Sequence, residues 1–378
     1  MVESSSDSRV PDLTTTDGVK AYLFHTPYRA VNVTSLTGGF TNFTYRVTLQ
    51  KPFFDSSTSP GALISTVVLK HAKPYIASVR TYSASAERQD YEALAYREVP
   101  TIVSPFTNVS LPKIYFQDQD NYVIIMYDCG ESCITLKDYL KFHSVPLEAA
   151  RRIGNSLGRF IGELHVASHK SRPADSPGVL IKHKFEEVPQ KFDVFGFFHG
   201  IITRDLPRTT ERYDEIIALL GNMHDKIKYS KEVLVMGDFS TGNMLIDGNS
   251  LEHLSIIDWE TARSSLAGLD VSRLLAEVYT IAKFHPSSRC AVNELISTFI
   301  ASYKSVVTSE TNARNFNEIV KVVAFNVGVH LIVITPMEKP EWGSDEEVGE
   351  IVAEGISFLL NAEDDMWLRE SFLGGLYV

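Results

Sequence analysis

The stretch VLVMGDFSTGNMLIDG, residues 233–248, breaks an apolar run with Asp238, carries Asn243 five residues on, and returns at once to Met244, Leu245 and Ile246. Fifteen residues beyond Asn243, LSIIDWETA delivers a second carboxylate, Asp258, at the end of another apolar run. Two carboxylates and an amide are hard oxygen donors of the kind that hold magnesium, with one carboxylate free to work as a base. Each also has a plainer reading, since two apolar runs around a short polar loop describe an ordinary hairpin and Asp238 suits an Asx turn. The chemistry that would use all three is phosphoryl transfer. There a carboxylate orients and deprotonates the acceptor hydroxyl, an Asn and an Asp hold the metal, and a lysine reaches the donor phosphates.

The lysine must come from elsewhere, and TVVLKHA places Lys70 at the end of an apolar strand. The stretch that follows, SASAERQDYEALAYREV, reads as a helix and offers Glu87, Glu92 and Glu98 as an ionic partner, with Glu92 closest to mid-helix. Upstream, LTGGFTNFTYRV gives a Gly38-Gly39 turn followed by Thr41 and Asn42, whose backbone N–H groups could approach phosphate oxygens. A Gly-Gly pair is also just a hairpin turn, and the full G-x-G-x-x-G is missing.

These residues need elements to position them. VNVTSLTGGFTNFTYRVTL and ALISTVVLKHA are rich in Val, Thr, Tyr and Phe and read as antiparallel strands, and KIYFQDQDNYVIIMYD reads as a hairpin around Gln119 and Asp120. From DCGES onward the pattern turns helical, with Ile153, Leu157, Ile161 and Leu164 on one stripe after Pro146. Four later stretches also read as helices, and the loop around Asp238 is the only convincing strand pair among them. The expected fold is α+β in two lobes. Residues 1–128 form a small antiparallel sheet with one helix, and residues 129–378 form a larger, mainly helical lobe. The apolar run IVKVVAFNVGVHLIVITPM carries Lys321, Asn326 and His330 and reads as a buried helix rather than a membrane span.

At 378 residues and 44% hydrophobic content the chain can bury two cores, and a formal charge of −11 with scattered Lys and Arg argues against nucleic acid as a partner. Cys129, Cys133 and Cys290 are too few and too oddly spaced for a disulfide scaffold or a zinc site. With no apolar core or cleavage site near the amino terminus, the expectation is a cytoplasmic monomer with no membrane partner.

The ordered set GGFTNFTYRV, VVLKHA, ERQDYEAL, VIIMYD, GDFSTGNMLI and IIDWE resembles the aminoglycoside phosphotransferase and choline kinase group, which includes methylthioribose kinases. The likeness runs from about residue 18 to about residue 362. It implies a protein-kinase-like fold, ATP as donor and Mg2+ as cofactor. Asp238 would be the base, Asn243 and Asp258 the metal ligands, and Lys70 with Glu92 the phosphate-positioning pair. In MYDCG, Met126, Tyr127 and Cys129 would meet the adenine edge, while Glu260 and Asp270 match later acidic positions that orient the metal loop or its helix. Met236 departs from the pattern, standing where many members carry a histidine that supports the catalytic loop. Protein kinases are disfavoured because H-R-D, D-F-G and A-P-E are missing.

What the likeness fixes less well is the acceptor. The expectation is transfer of the γ-phosphate to a hydroxyl of a small molecule such as a hydroxytryptamine or related amine. The alternatives are a methylthioribose, choline or aminoglycoside type of kinase, or an inactive nucleotide-binding regulator. Glu260, Glu338, Glu341 and Asp345 are acids that would suit a cationic amine, and Trp342 could offer an aromatic face. MEKPEWGSDEEVGE reads equally as a solvated acidic loop with a helix cap at Ser344.

Overall fold

The structure is a computed structural model that describes residues 11–37, 39–56, 61–105, 108–188, 193–247, 253–310, 313–338 and 342–377. Gly38 and Glu341 therefore lie outside the described residues. The chain divides into two compact units, Met1–Ala93 with Pro112–Gly130, and Leu94–Leu111 with Glu131–Val378.

In the first unit, period-2 alternation builds the sheet. Helix α1 (Thr16–Leu23) leads into β1 (Ala30–Ser35), β2 (Phe43–Asp55) and β3 (Ala62–His71), and after α2 (Arg88–Glu98) the later strands follow. Tyr45, Val47 and Leu49 of β2 and Val67 and Leu69 of β3 point the same way and are buried with Val19 and Leu23 of α1. The strand order is β1-β2-β3-β6-β5, counting the two-residue β4 (Val109–Ser110), β5 (Ile114–Asp118) and β6 (Val123–Tyr127) in chain order. All pairs are antiparallel, and Gln119 and Asp120 form the turn between β5 and β6. Register sets Lys70 opposite Thr44 on one side and Ile124 on the other, at the centre of the sheet.

The second unit is mainly helical. After β7 (Cys133–Thr135) come α3 (Leu136–Phe142), α4 (Leu147–Ser168), α5 (Pro177–His183), α6 (Val194–Asp205) and α7 (Tyr213–Tyr229). Strands β8 (Val233–Val235), β9 (Met244–Asp247), β10 (Leu254–Ile256) and β11 (Arg263–Ser265) precede α8 (Gly268–Phe284), α9 (Arg289–Thr308), α10 (Ala313–Met337), α11 (Asp345–Leu360) and α12 (Asp365–Glu370). Phe195 and its aromatic neighbours lie in α6, whose N-cap Asp193 accepts from Gly196 N. Two small sheets, β4-β10-β9-β7 and β11-β8, stand where the sequence showed one strand pair. Strands of two to four residues are too short to display an alternation.

Among the described residues, Phe316–Met337 is long and apolar enough to cross a membrane. Most of it is buried, and α10 packs against α8 and α11.

Candidate active site

The two apolar runs around Asp238 are not strand partners. β8 pairs with β11, and β9 pairs with β10 and β7, so the loop between them crosses from one sheet to the other instead of closing a hairpin. Gly237 makes the crossing, at φ +86°, where a Cβ would stand 2.6 Å from the Thr261 carbonyl oxygen. Register does the rest. Ile256 lies opposite Met244, so Asn243 and Asp258 leave their strands at the same sheet end, and Ile257 N donates to the Asn243 carbonyl at 2.9 Å.

Asp238 and Asn243 meet directly. The Asn243 Nδ2 donates to Asp238 Oδ2 at 2.9 Å, which leaves the amide oxygen of Asn243 as the atom that could face a cation. Arg273 Nε donates to the other oxygen of Asp238 at 2.7 Å. Asp258 takes the left-handed conformation, φ +67°, and its N–H donates to the Tyr96 hydroxyl at 2.9 Å. Its carboxylate lies within 4.8 Å of that of the buried Glu260, so Glu260 stands on the side of Asp258.

Met236, fully buried, is held without a histidine of its own. Its N–H and that of Gly237 donate to Asp270 at 2.9 and 2.8 Å, and its carbonyl accepts from Thr261 Oγ1 at 3.0 Å. Asp270 in turn meets His165 Nε2 at 3.2 Å, and the other ring nitrogen meets the Tyr303 hydroxyl at 3.1 Å. The far end of the loop is fixed by Glu277, which accepts from Thr241 N at 2.6 Å. Burial raises the Glu277 carboxyl above its ordinary range, with Arg273 and Lys137 pulling the other way. Buried Arg263, whose Nε has no partner, is pushed down by desolvation while Asp193, Asp270 and Asp238 favour its charge. Arg263, Arg273 and Glu277 were not singled out from the sequence. The readable signal was three charged residues, Asp270, Arg273 and Glu277, at i, i+3 and i+7 of a mostly apolar helix.

In the first unit, buried Lys70 donates to Glu92 Oε1 at 2.7 Å, and Gln89 Nε2 donates to Glu92 Oε2 at 3.0 Å. Glu98 instead pairs with Lys184 at 2.8 Å in the second unit. Gly39 is exposed, while the turn it enters is braced by Arg88, which donates to the Thr41 carbonyl at 3.2 Å and to Asn42 Oδ1 at 2.8 Å. Arg88 also reaches the Lys73 and Ser85 carbonyls, both at 2.8 Å, so Asn42 is committed to the frame of the turn. Met126 is buried opposite Val68, Tyr127 donates its N–H to the Lys113 carbonyl at 2.8 Å, and Cys129 is half-buried. Between them Asp128 accepts from Arg46 at 2.7 and 2.9 Å; burial raises this carboxyl, but the bonds from Arg46 and Gly130 outweigh it and hold it low.

Trp342 is not an open aromatic face. It is buried, with the Lys137 and Lys141 ammonium groups 5.1 and 4.9 Å from its ring and Phe284 and His285 beside it. Glu338 pairs with Lys137 at 2.9 Å, and Asp345 opens α11, whose N-cap Ser344 forms a capping box with Glu347.

A family model described as the phosphotransferase enzyme family matches residues 32–289, more than half of the chain. The chain belongs to that family and is an enzyme of the small-molecule kinase class. Among curated relatives it is similar to the 4-hydroxytryptamine kinase of Psilocybe cyanescens, 27% identical over 375 residues and covering 94% of each chain. The 4-hydroxytryptamine kinase of Psilocybe cubensis is 28% identical over 379 residues, covering 92% of each. Solved structures that resemble it include an aminoglycoside phosphotransferase with GDP and kanamycin, at 14% identity and TM-score 0.49 over 91% of this chain and 97% of that one. Another is a choline/ethanolamine kinase family protein from Mesorhizobium loti, at 15% identity and TM-score 0.48 over 95% and 98%.

Proposed function

We propose that the protein transfers the γ-phosphate of ATP, with Mg2+, to the hydroxyl of 4-hydroxytryptamine or a closely related hydroxylated amine. The observation that carries the chemistry is the meeting of Asp238 with Asn243 at the sheet end that Asp258 shares. The acceptor comes from the names of the two Psilocybe relatives, which match along nearly the whole chain.

The donor set fits magnesium. Asn243 commits its amide nitrogen to Asp238 and keeps an oxygen, and Asp258 adds a carboxylate, so the ligands are hard oxygens. Glu260 fits the metal side better than the acceptor side, because its carboxylate neighbours that of Asp258. When bound, the ion neutralises charge on the donor phosphates. Asp238 accepts the acceptor's hydroxyl proton while Arg273 and Asn243 hold its orientation. Lys70, kept in place by Glu92, takes the donor's phosphate oxygens, and the backbone at Gly39 and Thr41 and the strand end at Tyr127 and Cys129 seat the nucleotide.

ADP release measured with ATP and magnesium across 4-hydroxytryptamine, choline, ethanolamine, methylthioribose and an aminoglycoside tests this. The expected result is release that depends on 4-hydroxytryptamine and falls about 10²- to 10⁴-fold in Asp238→Asn, with ATP binding retained. Release driven by another acceptor overturns the substrate, and turnover that persists in Asp238→Asn overturns the base.

A further inference from the structure

Helix α8 grips the 236–243 loop along one stripe. Asp270, Arg273 and Glu277 stand at i, i+3 and i+7 and share a helix face. Asp270 takes backbone N–H groups at one end of the loop, Glu277 takes one at the other, and Arg273 falls between them on the Asp238 side chain. Of the three, only Arg273 bonds to the carboxylate that would meet the substrate.

Arg273 is itself fixed from two sides. Its Nε is on Asp238, and its NH1 donates to His330 Nδ1 at 2.8 Å, from α10. His330 can accept because burial, then the charges of Arg273 and Lys137, hold it deprotonated. The groups facing this cluster are Glu277 from α8, Lys137 from α3, His330 from α10, Glu338 from the turn that follows α10, and Arg263 from β11. Desolvation opposes the Arg273 charge, and Asp238 and Glu277 outweigh it. A guanidinium tied at two edges cannot swing, unlike an exposed arginine with its full rotamer freedom. Because it reaches Asp238 through Nε alone, it engages one lone pair of Oδ1 and leaves others on both oxygens.

We infer that Arg273, steadied by His330, is a positioning residue for the base, fixing the Asp238 carboxylate so that Oδ2 stays on Asn243 and an uncommitted lone pair faces the acceptor hydroxyl. This rests on the reading of Asp238 as base. The interaction acts on orientation in the transition state and not on binding, so its loss appears in kcat and spares KM.

The experiment compares Arg273→Gln, Arg273→Lys, His330→Phe and His330→Gln, each alone, and Arg273→Gln again in the Asp238→Asn background, with ATP, magnesium and 4-hydroxytryptamine. Arg273→Gln should lower kcat about 10- to 100-fold with both KM values within about twofold. Arg273→Lys should recover part of the loss. His330→Phe should lose less than Arg273→Gln, and His330→Gln, which restores an acceptor oxygen, should recover it. Arg273→Gln should add nothing in the Asp238→Asn background. A wild-type kcat in Arg273→Gln, a loss confined to the KM for ATP, or an equal further loss in the Asp238→Asn background each overturns the inference.

Urea midpoints of the same single and double variants provide a readout that needs no acceptor. A midpoint loss from Arg273→Gln that shrinks in Asp238→Asn supports the clamp, and additive losses overturn it. If no acceptor in the panel drives ADP release by the wild type, the functional reading has failed and the midpoints alone decide the clamp. If Asp238→Asn keeps its turnover, the base assignment fails and the positioning role falls with it.

Discussion

Glu92 and Glu98 both meet a lysine at under 3 Å, yet the two pairs should answer very differently to the same change. Lys70 and Glu92 are buried, with side-chain exposures of 7% and 0%, whereas Lys184 and Glu98 are 46% and 29% exposed. Removing Glu92 takes a carboxylate at 2.7 Å away from a buried lysine, so Glu92→Ala should cost about 3–5 kcal/mol. Glu98→Ala removes a solvent-screened contact and should cost under about 1 kcal/mol. Urea denaturation of the two variants side by side checks this, and equal losses would refute it. The sequence left Glu87, Glu92 and Glu98 open because α2 has few apolar residues to set its phase, and only the fold shows which turn faces Lys70. Asp238, Asn243 and Asp258 were readable because each ends or interrupts an apolar run. Arg88 was not, because a charged residue in a helix rich in charge carries no sign that it is buried against five carbonyls.

Between elements, α4 comes against α9 at backbone distance. A Cβ on Gly158 would lie 2.4 Å from the Phe299 carbonyl oxygen, and one on Gly154 would lie 2.5 Å from that of Leu295. Backbone cannot yield as a side-chain tip can, so Gly158→Ala should destabilise by about 1–3 kcal/mol. That loss should exceed the gain of about 1 kcal/mol that alanine brings to a helix interior. Gly221 in α7 has nothing within 4 Å of a Cβ, so Gly221→Ala should keep the gain. Thermal unfolding should move in opposite directions for the two variants, and a stabilising Gly158→Ala would contradict the packing. Helices such as α4 were legible because their apolar stripes are long, and the sheet of the first unit because its strands alternate over 6–13 residues. The small sheets of the second unit were hidden: β8 and β11 have three residues each, and their pairing spans the whole 236–243 loop. The stripe on α8 was masked for a related reason, since Asp270 and Glu277 are buried and Arg273 half-buried in what reads as a core helix.

Taken whole, the molecule carries a formal charge of −11 at pH 7 and a sequence pI near 5.5, so acidification toward pH 5.5 relieves self-repulsion and on that ground should stabilise it. Two buried histidines, one in each unit, oppose this. Burial, then the charge of Lys73, pushes His71 down from 6.5 to about 4, and burial with Arg273 and Lys137 pushes His330 well below 6.5. Well above pH 6.5 both are neutral whether the chain is folded or not and contribute no pH dependence. As pH falls below 6.5 the unfolded chain takes up protons that the folded chain refuses, so stability drops, and the His71 contribution levels off only near pH 4. For His71 that gap is worth about 3 kcal/mol, comparable to a large share of a typical domain's stability. Carboxylates held low, Asp128 among them, add their own loss only as pH falls through and below the ordinary carboxylate range, so they do not blur the upper part of this window. The histidines act through local burial, while the net charge is spread over the surface and screened by salt, so the histidines should win. The urea midpoint should therefore fall steadily from pH 6.5 to 4.5 in 0.15 M salt, and His71→Gln should flatten that fall. A wild-type midpoint that rises toward pH 5.5 would show that surface repulsion dominates instead.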